Sequence, residues 1–194
     1  MMSDTLVQRQ QLRRQLRQAR RQLSPYQQQQ ASQQIALRFA RLFIFKRAKR
    51  IAFYQASDGE LNPQLLIKLA LKLKKHCYLP VLQRFPNQEL GFVQIKHNTR
   101  LHKHRFGFKE PKHQPRLFIH QLDLVCLPLV GFDKYGHRLG MGGGFYDRSL
   151  AKKKFSQVYK LGIAHDCQQL TALEAAPWDI TLNAVLTPTR CYIV

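Results

Sequence analysis

The chain has 194 residues, 44% of them hydrophobic, which suits one domain, 1–194, with a real core. Lysine and arginine outnumber aspartate and glutamate by 32 to 11, and the net charge of +21 implies a polyanionic partner: nucleic acid, a phosphorylated ligand, an acidic substrate or an acidic surface. No run of 18 apolar residues is present, and the start lacks the apolar block and cleavage site of a secretory signal, so a soluble, cytoplasmic protein that does not use a membrane is expected.

Residues 6–23 place Leu12, Leu16, Ala19 and Leu23 at alternating steps of four and three, with arginines around them, which predicts a basic amphipathic helix. Ser24 followed by Pro25 starts a second helix, with Ile35, Phe39 and Leu42 on its buried side. From Arg50 the texture changes. RIAFYQ reads as a strand, NPQLLIKLALKLKKH as a helix capped by Asn62 with Pro63 in its first turn, and CYLPVL as a strand. Strand, helix, strand is the signature of a parallel sheet. Residues 83–116, with one strand GFVQI among Pro, His and Lys, read as an excursion over that sheet. Then LDLVCLPLV (122–130) predicts a buried strand, GGFYDRSLAKK a helix start, VYKLGIA (158–164) another strand and AVLTP (184–188) a last one.

Open α/β sheets bind ligands at the carboxyl ends of their strands. Three such ends carry unusual chemistry here: SDGE, the stretch GFDKYGHRLGMGGGFYDR, and AHDCQ. Gly140, Gly142, Gly143 and Gly144 allow positive φ and let N–H groups converge on an anion, which makes a phosphate cradle. Arg138 and Arg148 flank it as bidentate phosphate donors, and Asp147 is placed to hold a magnesium ion that bridges phosphates. A P-loop needs Lys and Ser or Thr after its last glycine, where Phe145 and Tyr146 stand. The dinucleotide fingerprint needs a small residue at Phe145. Neither spacing fits. In SDGE, Asp-Gly favours a turn, and Glu60 sits where it can accept from a ligand's N–H groups, while Asp133 and Asp166 are weaker candidates that suit turn caps. Cys77, Cys126, Cys167 and Cys191 have neither a CxxC pair nor a histidine at zinc spacing and read as reduced core residues.

Taken together, these stretches resemble the 5-formyltetrahydrofolate cyclo-ligases, also called methenyltetrahydrofolate synthetases. The resemblance rests on RQQLRRQLRQARRQLSP, IAFYQASDGELNPQLLI, FGFKEP, LVCLPLVGFDKYGHRLGMGGGFYDRSL and LGIAHDCQ, along nearly the whole chain. It implies an α/β fold: an open, mainly parallel sheet flanked by helices, similar to the ribose-phosphate isomerase and CoA-transferase group, with an amino-terminal helical pair. It also implies an ATP-dependent closure of 5-formyltetrahydrofolate, free or polyglutamylated, to the 5,10-methenyl compound, with magnesium and with release of ADP and phosphate. Phosphorylation of the formyl oxygen is the implied activating step.

By position, the resemblance puts ATP contacts on Arg9, Gln10, Gln11, Leu12 and Arg13, and on Arg138, Leu139, Gly140, Met141, Gly142, Gly143, Gly144, Phe145 and Tyr146. It puts folate contacts on Gln55 and Glu60, a catalytic role on Tyr146, and magnesium on Asp147 and Asn183. Asn183 stands where the family has an aspartate, and Trp178 where it has a histidine, which raises a catalytically decayed relative as a rival reading. A nucleic-acid-binding protein is the other rival; it has the charge but no RRM, zinc-finger or helix-turn-helix motif, so nucleic acid is not an expected partner.

Overall fold

The computed structural model describes residues 2–82, 90–103, 109–111, 116–151 and 157–194. Three helices come first, α1 (Met2–Arg21), α2 (Pro25–Arg41) and α3 (Phe43–Arg47). Then follow β1 (Arg50–Ala52), α4 (Gln64–Lys72), β2 (His76–Leu82), β3 (Leu90–Ile95), β4 (Leu101–Lys103), β5 (Lys109–Pro111) and β6 (Arg116–Leu117). The rest is β7 (Leu124–Pro128), β8 (Gly131–Phe132), β9 (Arg138–Leu139), α5 (Phe145–Leu150), β10 (Tyr159–Ile163), β11 (Ala184–Leu186) and β12 (Cys191–Ile193).

The local signals act as the sequence implies. Ser24 Oγ accepts from Gln27 N while the Gln27 side chain accepts from Ser24 N, a reciprocal cap that fixes where α2 begins. Asn62 Oδ1 accepts from Gln64 N at 3.0 Å, so α4 starts just after Pro63. The element α3 was not foreseen, because five residues are too few to show a period.

The main sheet has the order β12-β11-β10-β7-β1-β2-β3-β6. From β11 to β2 the neighbours are parallel, and β12, β3 and β6 add antiparallel edges. The expectation for residues 83–116 needs correction here. β3 and β6 extend the sheet, and only the β4–β5 hairpin stands outside it. Residues 83–89, 104–108 and 112–115, with part of FGFKEP, lie outside the described residues, as do residues 152 and 153 of the expected fifth helix.

Alternation along the strands sorts the core into two layers. Ile51, Leu124, Cys126 and Ile163 face α2 and α4, with Phe39 and Phe45 at 4.4 Å between ring centroids. Ala52, Val125 and Leu127 face the other way, onto Phe92, Leu150 and Leu182. Each large side chain in these layers contributes about 1.5–3 kcal/mol by leaving water. Cys77 and Cys126 belong to this core and Cys191 is half-buried, but Cys167 is exposed, contrary to expectation.

β1 leads through α4 to β2 on one side, and the chain then returns to place β7 on the other side of β1. The order of the strands reverses there, so the loops after β1 and β7 part and leave a crevice.

Candidate active site

A cleft of about 270 Å³ opens at that reversal. Tyr54, Gln55, Ser57 and Glu60 come from the loop after β1, Pro80 and Leu82 from β2, Pro128 from β7, and Arg138, Met141, Phe145, Tyr146 and Asp147 from the glycine loop and α5. SDGE and the glycine loop, far apart in the chain, therefore face each other.

Asp58 and Gly59 have φ of +53° and +75°, and Glu60 N donates to Ser57 O at 2.8 Å. Two successive left-handed residues make the tight turn that Asp-Gly favours. A Cβ on Gly59 would lie 3.3 Å from the carbonyl oxygen of Arg20, so glycine also lets the turn press on α1. The turn sends Glu60 inward, where its Oε2 accepts from Ser57 N at 3.0 Å. Burial pushes the Glu60 carboxyl above its usual range, against the bond from Ser57 and the charge of Arg20.

In the glycine loop φ is +98° at Gly142 and +64° at Gly144. Three guanidinium groups approach this loop, two of them, at Gly140 and Gly144, closer than a side chain there would readily allow. A Cβ at Gly140 would lie 3.1 Å from Arg138 Nη1, one at Gly142 would lie 3.9 Å from Arg13 Cζ, and one at Gly144 would lie 2.6 Å from Arg148 Nη1. Arg13 Nε donates to Gly140 O at 2.9 Å, and Arg148 Nη2 to Gly143 O at 2.8 Å. Arg138, 4% exposed, donates to Asp147 Oδ1 at 2.5 Å, and its buried Nε has no partner among the described residues. A buried donor left over beside a loop of bare backbone suits an anionic ligand. Tyr146 stands near Glu60, and burial, then the Glu60 charge, pushes its hydroxyl well above the usual phenol range, so it is a neutral donor at physiological pH.

Of the amino-terminal stretch, Arg13 alone is seen to touch the glycine loop. Arg9 is buried but donates to Glu174 O at 2.8 Å and to Asp179 Oδ2 at 2.7 Å. Leu12 packs against Leu16, Val130, Leu139 and Leu173, and Gln10 and Gln11 are exposed. Leu139 is itself a fully buried core residue.

Asn183 is not brought to the cleft. It precedes β11 at the amino end of the parallel strands, and its Oδ1 accepts from Lys160 N at 2.8 Å. This corrects the expected pairing with Asp147: the asparagine carbonyl closes the start of the sheet. Trp178, 59% exposed, does not line the cleft either. Asp133 accepts from Tyr135 N, His137 N, His137 Nδ1 and Leu173 N and so holds its own turn, whereas Asp166 accepts from Thr189 Oγ1 and ties two loops together. Among the described residues no cluster of three His, Cys, Asp or Glu side chains forms a metal cage. Of the two expected magnesium positions, Asp147 lines the cleft and Asn183 does not.

The sequence reading missed Arg20. It is fully buried on α1 and donates to Asp58 O at 2.8 Å, to Asp58 Oδ2 at 3.0 Å and to Leu129 O at 3.1 Å. It also reaches Met141 Sδ at 3.9 Å and Glu60 Oε1 at 3.8 Å. One guanidinium thus ties the turn after β1, the end of β7 and the glycine loop to α1. Arg17 and Arg21 join it on Asp58, and although burial raises that carboxyl, the three cations hold it down to about 2. Nearby, His165, 3% exposed, has an Nε2 without a partner among the described residues, and Gln168 Nε2 donates to both Leu129 O and Val130 O. An aspartate next to a glycine turn, in a chain with only eleven acids, was the signal that an arginine partner was needed.

Comparison with known proteins gives the family. The profile of the 5-formyltetrahydrofolate cyclo-ligase family matches residues 5–188. The 5-formyltetrahydrofolate cyclo-ligase of Escherichia coli K12 is 41% identical over 179 residues, covering 91% of this chain and 98% of that protein. That of Haemophilus influenzae is 39% identical over 180 residues, covering 92% and 96%. The structure of the Aquifex aeolicus 5,10-methenyltetrahydrofolate synthetase superposes with a TM-score of 0.83 at 29% identity, covering 95% of this chain and 92% of that one. A synthetase from Mycoplasma pneumoniae gives 0.74 at 26% identity, covering 93% and 98%. With the match spanning the helix that carries Arg13 and Arg20, the DGE turn and the glycine loop alike, the chain belongs to the 5-formyltetrahydrofolate cyclo-ligase family.

Proposed function

We propose that this chain closes 5-formyltetrahydrofolate to 5,10-methenyltetrahydrofolate at the expense of ATP. The observation that carries the reading is the convergence of the cationic glycine loop and the Glu60 turn on one cleft at the β1–β7 reversal.

The two halves suit the two substrates. Arg13, Arg138 and Arg148, with the bare backbone of Gly140 to Gly144, present donors for the triphosphate. Gln55 and Glu60 present acceptors for the N–H groups of the pterin, and these donors offset the desolvation that raises the free Glu60 carboxyl. Pro80, Leu82 and Phe145 cover the flat faces of the ring. The formyl oxygen then attacks the γ-phosphorus and ADP departs; nitrogen 10 attacks the activated carbon, its proton passes to the phosphate, and the phosphate leaves with the oxygen. Tyr146, protonated and half-buried, donates to the formyl oxygen and orients it. Arg138 takes up charge on the transferring group as its bond to Asp147 is shared out. Magnesium bound with ATP would sit at Asp147 and neutralise phosphate charge.

The test is direct: purified protein, 5-formyltetrahydrofolate and ATP with magnesium, followed by the near-ultraviolet absorbance of the methenyl product. An ATP-dependent rise is expected. Its absence overturns the assignment.

A further inference from the structure

The cleft draws on only a few of the 32 lysines and arginines. A second group of them gathers at the opposite end of the sheet, where the parallel strands β1 and β2 start side by side with Arg50 paired to His76. KRAKR, residues 46–50, runs into β1, and KLKKH, residues 72–76, runs into β2. Lys75 staples the two runs together: its Nζ donates to Lys46 O at 3.0 Å and to Ala48 O at 2.6 Å. His76 N adds a bond to Lys49 O at 2.8 Å. Lys46, Arg47, Lys49, Arg50 and Lys74 are all exposed, and none of the five forms an ion pair among the described residues. Asp123 adjoins them, but its Oδ2 accepts from the backbone N–H groups of Lys49 and Arg50, at 2.7 and 2.8 Å. Arg50 Nη1 donates to Gln121 O at 3.1 Å, a neutral partner that leaves its charge in place. Beside the cations Phe43 is 71% exposed, with Arg47 Cζ 5.4 Å from its ring centroid.

In so basic a chain, exposed lysines by themselves signify nothing, and cations in the last turn of a helix complement its carbonyl end. That accounts for Lys46 and Arg47 of α3. It leaves Lys49, Arg50 and Lys74, which stand past the ends of α3 and α4. Folding sets the two runs side by side, and their mutual repulsion is relieved by an anionic partner. We propose that this face binds single-stranded nucleic acid: the five cations neutralise successive phosphates, and Phe43 stacks on an unpaired base. Charge alone does not tell one polyanion from another; an exposed ring beside a guanidinium is what suits a base. The sequence holds no recognition motif for nucleic acid, and sequence-independent contact to phosphates needs none. The proposal stands apart from the folate reading, because the cleft lies past the other ends of these strands.

The test titrates the protein into a fluorescein-labelled oligouridylate of about 20 nucleotides, followed by anisotropy. With about four phosphates neutralised, the affinity of wild type should fall about 50-fold between about 50 and 200 mM salt. Lys46→Glu/Lys49→Glu/Lys74→Glu should weaken binding at the lower salt by more than about 10-fold and flatten the salt dependence. Arg14→Glu/Lys134→Glu/Arg190→Glu makes the same change in net charge at exposed positions elsewhere and should stay within about threefold of wild type. Phe43→Ala should weaken binding about 5-fold or more at an unchanged salt dependence. Circular dichroism melts check that each variant folds; should the first triple variant melt early, Phe43→Ala and the salt dependence of wild type decide. No binding at the lower salt, equal losses in the two triple variants, or a Phe43→Ala that binds as wild type does, overturns the proposal. Capture on phosphatidylserine vesicles of a protein that ignores the oligonucleotide overturns it too.

Discussion

Replacing Arg20 by methionine keeps the bulk of the side chain and removes the guanidinium, so it isolates the role of the clamp. The magnitude follows from what each acceptor has left. Asp58 Oδ2 keeps Arg17 at 2.6 Å, and Leu129 O keeps Gln168 at 2.7 Å. Asp58 O has no other donor among the described residues. One buried carbonyl is stranded and two charged bonds are lost without stranding their partners, so the cost is about 2–3 kcal/mol, below the ~3–5 of a buried pair broken outright. For a chain of this size that is a fall in Tm of about 5–10 °C. A residue that mattered only for packing would stop there. Because Arg20 joins the Glu60 turn to the glycine loop, the variant should also raise KM for both ATP and 5-formyltetrahydrofolate, each by about 10-fold at temperatures where it stays folded. Arg20→Lys, which keeps the charge but not the fork, should fall between. Arg14→Met, at an exposed position of the same helix, should change neither quantity. If Arg20→Met melted within 2 °C of wild type with both KM values intact, the clamp would not be what aligns the site.

Tyr146→Phe should lower kcat by about 10- to 100-fold while leaving the Kd for ATP within about twofold, because a positioned neutral donor is lost and phosphate contacts are not. Glu60→Gln should raise the folate KM about 10-fold or more; since burial disfavours the carboxylate, its Tm should equal or exceed that of wild type, as read by calorimetry. Asp147→Asn should raise the magnesium concentration needed for half-maximal rate, whereas Asn183→Ala should leave that concentration unchanged and cost about 1 kcal/mol in urea unfolding, by stranding Lys160 N. For acid stability, the Asp58 carboxyl is depressed to about 2, so its contribution is present above about pH 4 and is lost as the pH falls toward 2. The stability gap between wild type and Asp58→Asn should therefore close across that interval, followed by circular dichroism.

The strands β1, β2, β7 and β10 and the helices α2 and α4 were legible because period, cap residues and β-branched runs act within a few residues of themselves. The glycine loop and the DGE turn were legible because positive φ is costly and glycine is the cheapest way to reach it. Strands such as β6, β8 and β9 were not, since two residues held by partners far along the chain leave no pattern. The partners of the α1 arginines were illegible for a different reason. Arg9, Arg13 and Arg20 share a stripe with Leu16, at steps of four and three, yet a charge at such a position reads as solvated until its partner is known. The partners are Asp58, Gly140 and Asp179, and tertiary structure alone brings them there. Asn183 failed in the opposite sense: a residue at a metal position by resemblance is used as a sheet acceptor by geometry.

The first helix also carries a lesson about the order of assembly. Among the described residues, the two large core layers, around Phe39 and around Phe92, contain no side chain of α1. What α1 grips lies wholly downstream: the carbonyls of Leu129, Gly140 and Glu174, and the carboxylates of Asp58 and Asp179. The partners of α1 thus lie as far as 170 residues further along the chain. A helix made before all of its partners can seat only after them, and its loss would take from the two half-sites the strut that joins them.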